Sequence, residues 1–450
     1  MSKIARIVAA LLALATTGSA AAASLLFENV TVIDGTGRPP MPGAWVLVTD
    51  DRIAAVSPAR IEAPPGATRI DGAGKFLIPG LINSHIHLPG GRTGRGNREM
   101  IMDLDTGVHT LHGFLYSGVT AIYDSGNNVD YIFRMRDDER AGRIVAPRVF
   151  ATGRLITRAD GYQCCAGGIQ VGGLEDGIAQ LDALMARGPD MIKFIRERRG
   201  MGAEPGNLPM VPLDVMGALI TRANDRGVRT TVHVSEEQMA REAIAAGIDA
   251  LAHPVYLAET AEEFARFLAA NRIPVSTTMG RVDTDPSVFD RPVFAATMGE
   301  AERVANQMNP MYIGTPNGVW RGGLMKAVLH NIRQMHKAGV ILAMGTDRSM
   351  GAYVHRELEL LVQAGIPPLQ ALRVGTLNAA IYLGRESDLG SIERGKLADL
   401  VLLAADPTAN IRNAEQIVDV FKAGVRIDRA TLNLPVNGWV GKSVAGGGGD

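Results

Sequence analysis

Four times in this chain an apolar, helical stretch ends on glycine and runs straight into a short β-rich segment. Ser117-Gly118 leads into Val119 to Asp124, Arg226-Gly227 into Val228 to Val234, Ala246-Gly247 into Ile248 to His253, and Ala338-Gly339 into Val340 to Asp347. Glycine just past a helix's last turn takes the left-handed backbone that closes it, and a buried strand following at once makes a helix-to-strand corner. The phrase predicts strands alternating with helices, and hence a parallel sheet. Helix starts are marked as well: Ser235-Glu236-Glu237-Gln238 and Thr260-Ala261-Glu262-Glu263 have the form of capping boxes.

Read along the whole chain, the pattern gives β-like segments at 81–87, 119–124, 147–152, 190–195, 228–234, 248–253, 273–278 and 340–346. Helical patterns separate nearly all of them, at about 100–117, 129–141, 174–187, 213–226, 236–246, 260–271 and 324–338. Eight turns of alternation predict a closed (β/α)8 TIM barrel over residues 80–386, an α/β fold. The stretch 279–323, with Pro286, Pro292, Pro310 and Pro316, is too long for a simple connection and reads as a lid or insertion over the barrel mouth. Residues 25–79 and 387–437 differ. Short alternating runs such as Val30-Thr31-Val32-Ile33, Trp45-Val46-Leu47-Val48 and Ile417-Val418-Asp419-Val420-Phe421 are broken by Gly and Pro. These flanks are expected to join in one small β-sandwich beside the barrel. Residues 438–450, ending in a glycine run, are expected to form a flexible tail.

The first 24 residues stand apart. Lys3 and Arg6 precede the apolar run Ile7 to Ala15, and small residues follow from Gly18 to Ala23. This is the order of a secretory signal peptide, and the apolar run is well short of the ~20 residues that span a bilayer. The expectation is export, to the periplasm or beyond the cell, with no membrane association after cleavage. Lys+Arg of 46 against Asp+Glu of 47 leaves a formal charge of -1, which gives no electrostatic reason to expect nucleic acid or anionic lipid. The expected partner is a small-molecule substrate, and a homo-oligomer is left open. The two cysteines are neighbours, Cys164-Cys165, too close for an unstrained disulfide. Without a Cys-x-x-Cys pair, a thiolate zinc site is excluded. They read as two thiols in a loop, with a strained vicinal disulfide or a substrate contact as alternatives.

Side chains at i and i+2 share one face of a strand, so His85 and His87 both point inward at the end of the first barrel strand. Barrel enzymes place their chemistry at that end. Lys193 lies in the fourth strand among apolar neighbours, where an ammonium is costly unless paired or neutralised. His233, His253 and Asp347 end the fifth, sixth and eighth strands. Singly, each has a plainer reading: a packed histidine, a buried ion pair, a helix cap. Together, five of eight strands end in a ligand-type or titratable group on one rim, which points to a metal site. His109, His112, His330 and His336 fall within helices and read as structural or surface residues.

The phrase Pro79-Gly80-Leu81-Ile82-Asn83-Ser84-His85-Ile86-His87 resembles the opening strand of the amidohydrolase superfamily. The order HxH, Lys, His, His, Asp is similar to its binuclear, carbamylated-lysine branch. Leu389-Gly390-Ser391-Ile392-Glu393-Arg394-Gly395-Lys396-Leu397-Ala398-Asp399-Leu400-Val401 is similar to the small-domain return strand of the imidazolonepropionase-like and Xaa-Pro dipeptidase-like group. The resemblance implies two divalent metal ions: His85, His87 and Asp347 on a buried one, His233 and His253 on a more exposed one. Lys193, carrying CO2 as a carbamate, would bridge them. Nitrogen and oxygen donors without thiolate suit Zn2+. The implied reaction is hydrolysis of an amide C–N bond by a metal-bridged hydroxide, with Asp347 as general base and then acid.

The substrates so implied are dipeptides or N-acyl amino acids. Many members of this group carry Tyr two residues after the strand-five His and Glu before the strand-six His; Ser235 and Ala252 stand there in this chain. Arg348, Tyr162, Tyr256 and His355 are the candidate substrate contacts, Arg348 because its planar fork suits a carboxylate. Two other functions stay open: a mononuclear deaminase or cyclic-amide hydrolase with unmodified Lys193, and a non-catalytic barrel scaffold.

Overall fold

A computed structural model describes residues 24–91, 102–164, 167–200, 206–309 and 316–439. Residues 1–23 of the expected signal peptide, Cys165 of the cysteine pair and residues 440–450 of the expected tail lie outside them. Each of the eight β-like segments contains a barrel strand: Leu81–Ile86, Val119–Asp124, Arg148–Ala151, Met191–Ile195, Arg229–His233, Ala250–Leu251, Val275–Ser276 and Leu342–Ala343. All neighbouring pairs are parallel. The first three strands form one arc and the last five belong to another. Backbone bonds join both seams: Asp190 N–H donates to Ala151 O (2.9 Å), and Ser84 N–H donates to Met344 O (2.7 Å).

The corner glycines do what their positions require. Gly118, Gly227, Gly247 and Gly339 have φ of 79°, 74°, 95° and 81°, a region costly for any residue with a Cβ. At three of them the glycine N–H and the next N–H each close back onto the helix. Gly227 donates to Asn224 O and Val228 to Ala223 O, Gly247 to Ile244 O and Ile248 to Ala243 O, and Gly339 to His336 O and Val340 to Met335 O. This double closure satisfies carbonyls that a helix end leaves without partners.

Neither capping box forms. The helix Glu237–Ala245 starts from Glu236, and Glu262–Ala270 starts from Ala261, both without a side-chain cap. Thr260 spends its N–H and hydroxyl on Asn331 Oδ1 instead, a tertiary partner that outcompetes the local one. The insertion after the seventh strand is folded into short helices. It holds the helical turns Met279–Arg281 and Pro286–Asp290 and the helices Pro292–Thr297 and Glu300–Gln307. Val288, Phe289, Phe294 and Met298 pack on Ala352 and Tyr353, beside the barrel's last helices. The following helix, Pro316–Ala338, begins eight residues earlier than its apolar pattern does.

Both flanks join in one small β domain, hydrogen-bonded as a continuous eight-stranded sheet around its own core of Phe27, Val46, Leu77, Leu400 and Phe421. Phe27 and Phe421, from opposite ends of the chain, meet edge to face at 5.1 Å. The strand Phe76–Pro79 runs through Gly80 directly into the first barrel strand. Arg148 of the third barrel strand reaches Asp399 with two bonds, of 2.8 and 3.0 Å, and Asp399 is 6% exposed. Removing Asp399 leaves the part-buried Arg148 guanidinium without this partner. Asp399→Ala is expected to destabilise the protein by about 3 kcal/mol, read as a lower urea midpoint of unfolding.

Candidate metal centre

His85, His87 and Asp347 come together where the first and eighth strands end. Their ligating atoms lie within 4.8 Å of one another. Asp347 Oδ1 is 3.8 Å from His85 Nε2 and 3.7 Å from His87 Nε2. Asp347 has φ of 48°, an uncommon conformation for a residue with a side chain and one that clusters at functional sites. Two clasps hold it: its N–H donates to His85 O (2.9 Å), and Asn83 Oδ1 accepts from the N–H groups of both His85 and Thr346. The His253 ring lies 4.5 Å from that of His85 and 4.7 Å from that of His233. Lys193 Nζ donates to Ser125 Oγ at 3.0 Å, and its charge acts on His85, His233, His253 and Asp347. The six residues named from the sequence share one site.

Each imidazole has one ring nitrogen engaged by an oxygen outside this group. His85 Nδ1 pairs with Ala252 O (3.0 Å), His87 Nδ1 with Gly126 O (2.7 Å) and His253 Nδ1 with Thr278 Oγ1 (3.0 Å). At His233 it is Nε2 that pairs, with Glu197 Oε2 (3.3 Å). The carbonyl and carboxylate oxygens fix both ring orientation and tautomer, the Thr278 hydroxyl fixes the orientation of His253, and in each ring the opposite nitrogen is left as a donor.

Burial sets the charges. It lowers the pKa of His85, His233 and His253, so these rings are neutral near pH 7, and it pulls Lys193 down to about 7. Asp347 goes the other way. Burial opposes its ionisation, but the charges of His85, Arg281, His87 and Lys193 outweigh that and hold its carboxyl at about 2.

At the mouth, the Tyr162 ring lies tilted 5.0 Å from the His233 ring, and Tyr256 lies 6.4 Å from it. A small pocket adjoins His253, lined also by Tyr256, Thr278, Arg281, Val282 and Val328. The structure does not bring the other two candidate contacts there. Arg348 is turned onto Gly280 O (2.8 Å) and the Tyr353 ring, because the left-handed turn at Asp347 redirects the chain. His355 is buried beside Ser117, Arg291 and Arg429. Instead Arg281, from the turn after the seventh strand, faces the site with Nε 3.4 Å from Asp347 Oδ2. His109 and His112, set aside as structural, hold the C-terminal segment: His109 stacks on Trp439, and His112 Nδ1 accepts from Asn433 N–H.

The model of the amidohydrolase family matches residues 76–427. The chain belongs to that family. It is therefore an enzyme, a hydrolase of carbon–nitrogen bonds. Ochratoxinase of Aspergillus niger is 24% identical over 432 residues, covering 87% of this chain and 84% of that protein. Imidazolonepropionase of Shouchella clausii is 40% identical over a stretch of 102 residues, 21% of this chain and 23% of its own. Among solved structures, a Xaa-Pro dipeptidase with bound methionine superposes with a TM-score of 0.72 at 21% identity, over 90% of this chain and all of that one.

The amidohydrolase barrel here offers a donor set that fits a divalent cation. His85 Nε2 is fully buried and has no hydrogen-bond partner among the described residues, a costly state that a cation would relieve. Imidazole nitrogens with one carboxylate are borderline donors of the kind zinc prefers. Four residues that complete this arrangement, Asn83, Glu197, Thr278 and Arg281, were not singled out from the sequence. Glu197 had a usable signal: a carboxylate four residues past Lys193 stands just beyond a strand's active end.

Proposed function

We propose that this amidohydrolase is exported and hydrolyses the amide bond of a dipeptide or N-acyl amino acid, holding two divalent metal ions, most simply zinc. The observation that carries this reading is the set of four imidazoles, each tied on its outer side and each with its other nitrogen left as a donor. His85, His87 and Asp347 would hold one ion, and His233 and His253 the other. Lys193 would serve both once its amine adds to CO2 and sheds a proton. A pKa near 7 supplies the neutral amine this requires. Divalent ions held there supply Lewis acidity toward an amide carbonyl and toward water.

The chain's own groups do the rest. Asp347 is ionised at neutral pH. Its Oδ1 lies toward His85 and His87, so Oδ2, on the Arg281 side, is the atom that takes the proton from attacking water. Water's oxygen bonds to the acyl carbon, the C–N bond breaks, and the same proton passes to the departing nitrogen. Arg281 supplies a fixed cation beside the apolar Val282 and Val328, suited to a carboxylate next to an apolar side chain. Tyr162 and Tyr256 flank the fifth-strand histidine and restrict how the acyl part enters. Export rests on the charged, apolar, small-residue order of the first 24 residues.

Lys193→Ala is expected to lose bound metal and activity together, with added formate or acetate restoring part of both. Metal analysis and rate assays check this, and a variant with full activity on one metal would favour the mononuclear reading. Arg281→Met should raise KM for N-acyl amino acids about 10–100-fold, the effect of one charge-assisted hydrogen bond. KM for the matching carboxamides, which lack the anion, should be unaffected, while kcat falls on both because Asp347 loses its neighbouring cation; equal rises in KM on both would remove the anchor role. Protein purified from its native host should begin between Ala21 and Leu25, and an intact Met1 in its mass spectrum would refute export.

A further inference from the structure

On the helix Tyr353–Gln363, Glu357 is fully buried and accepts three hydrogen bonds from one short turn. Thr277 Oγ1 and Met279 N–H donate to its Oε1 at 2.6 and 2.8 Å, and Gly280 N–H donates to its Oε2 at 2.8 Å. The turn they define is unusual. Thr278, between the first two donors, has φ of 39°, a left-handed conformation disfavoured for a β-branched residue. That conformation sends the Thr278 hydroxyl to His253 Nδ1 and is followed at once by Arg281. Such outliers persist where surrounding contacts over-determine them, and three donors converging on one carboxylate are such contacts.

We infer that Glu357, whose own hydrogen bonds reach neither the histidines nor the cavity, is a positioning residue that sets the 277–280 turn and, through Thr278, the ring of His253. The inference rests on His253 being a ligand of the proposed second ion. Aspartate or glutamate placed to cap a helix would meet the helix's own N–H groups; Glu357 instead lies within its helix and takes donors from another strand's end. An ionised carboxylate suits the task because it is acceptor-only, with room for all three donors; these bonds favour that form against burial, which pushes the carboxyl up to about 7. Glutamine in its place turns an N–H toward one of them.

The test uses the full-length protein, two variants and two readouts. In metal-free protein, ring-nitrogen NMR should show His253 in one fixed tautomer in the wild type and a shifted, exchange-broadened signal in Glu357→Gln. In a cobalt(II) titration, the second equivalent should bind about 10–100-fold more weakly in Glu357→Gln, the usual effect of losing an outer-sphere partner. The first equivalent, on His85, His87 and Asp347, should change by less than about twofold. Thr278→Val cuts the far end of the same relay and should reproduce the second-site loss even if Glu357→Gln folds poorly. A merely structural Glu357 would weaken both equivalents in step with a loss of thermal stability, and that result overturns the inference. An unchanged His253 signal in Glu357→Gln overturns it too. If the wild type binds only one cobalt, the two-metal reading falls, while the metal-free His253 signal still decides whether Glu357 positions the ring.

Discussion

The barrel interior denies water to its titratable groups, and the chemistry of the site follows from that. Taking an ion out of water costs several kcal/mol even after the protein relaxes. His85, His233, His253 and Lys193 are at most 5% exposed and therefore favour their neutral forms. A neutral imidazole or amine has a lone pair to offer; a protonated one has none. Asp347 is the exception, kept anionic by the Arg281 guanidinium beside it. Burial thus produces the neutral nitrogen donors, and the guanidinium beside Asp347 keeps the one anion against it.

Neutral donors are useful only if they aim correctly, and aim is supplied from outside the group. Two of the aligning oxygens are backbone carbonyls, of Ala252 and Gly126, and two come from Thr278 and Glu197. The two positive-φ residues at the site, Thr278 and Asp347, sit where the seventh and eighth strands end. Each such conformation costs about 1–3 kcal/mol, and the hydrogen bonds that Glu357 and Asn83 accept from the adjoining backbone N–H groups hold them in place. Strand ends fix where a ligand stands. The turns beyond them fix how it points.

That division explains what the sequence discloses. The barrel was legible because its corners are local: a glycine at the helix end needs only its own left-handed φ and two nearby carbonyls, and Gly227, Gly247 and Gly339 have both. The ligand candidates were legible because alternation along a strand is local too, as with His85 and His87. Direction beyond a strand end is not. Arg348 is adjacent to Asp347 in sequence yet faces Gly280 and Tyr353, since a single backbone angle reverses its heading. The apparent cap at Thr260 failed for a related reason, its donors being claimed by Asn331, 71 residues away. Thr278, Arg281 and Glu357 depend on three separate stretches meeting, and no pattern within one stretch announces that.

The same reasoning bears on the substrate. Relatives in this group that carry Tyr and Glu beside their fifth- and sixth-strand histidines have polar groups on that flank, whereas Ser235 and Ala252 are small here. Ala252 contributes its carbonyl to His85 rather than a side chain. The fixed cation of this site comes from the other side, on Arg281 after the seventh strand, next to Asp347. A carboxylate anchored there would hang its scissile amide from the opposite flank. Its anchor would then share a turn with Thr278, which aligns His253. One short segment, clamped by Glu357, would carry both substrate recognition and ligand alignment, so a change that loosened it would degrade the two together.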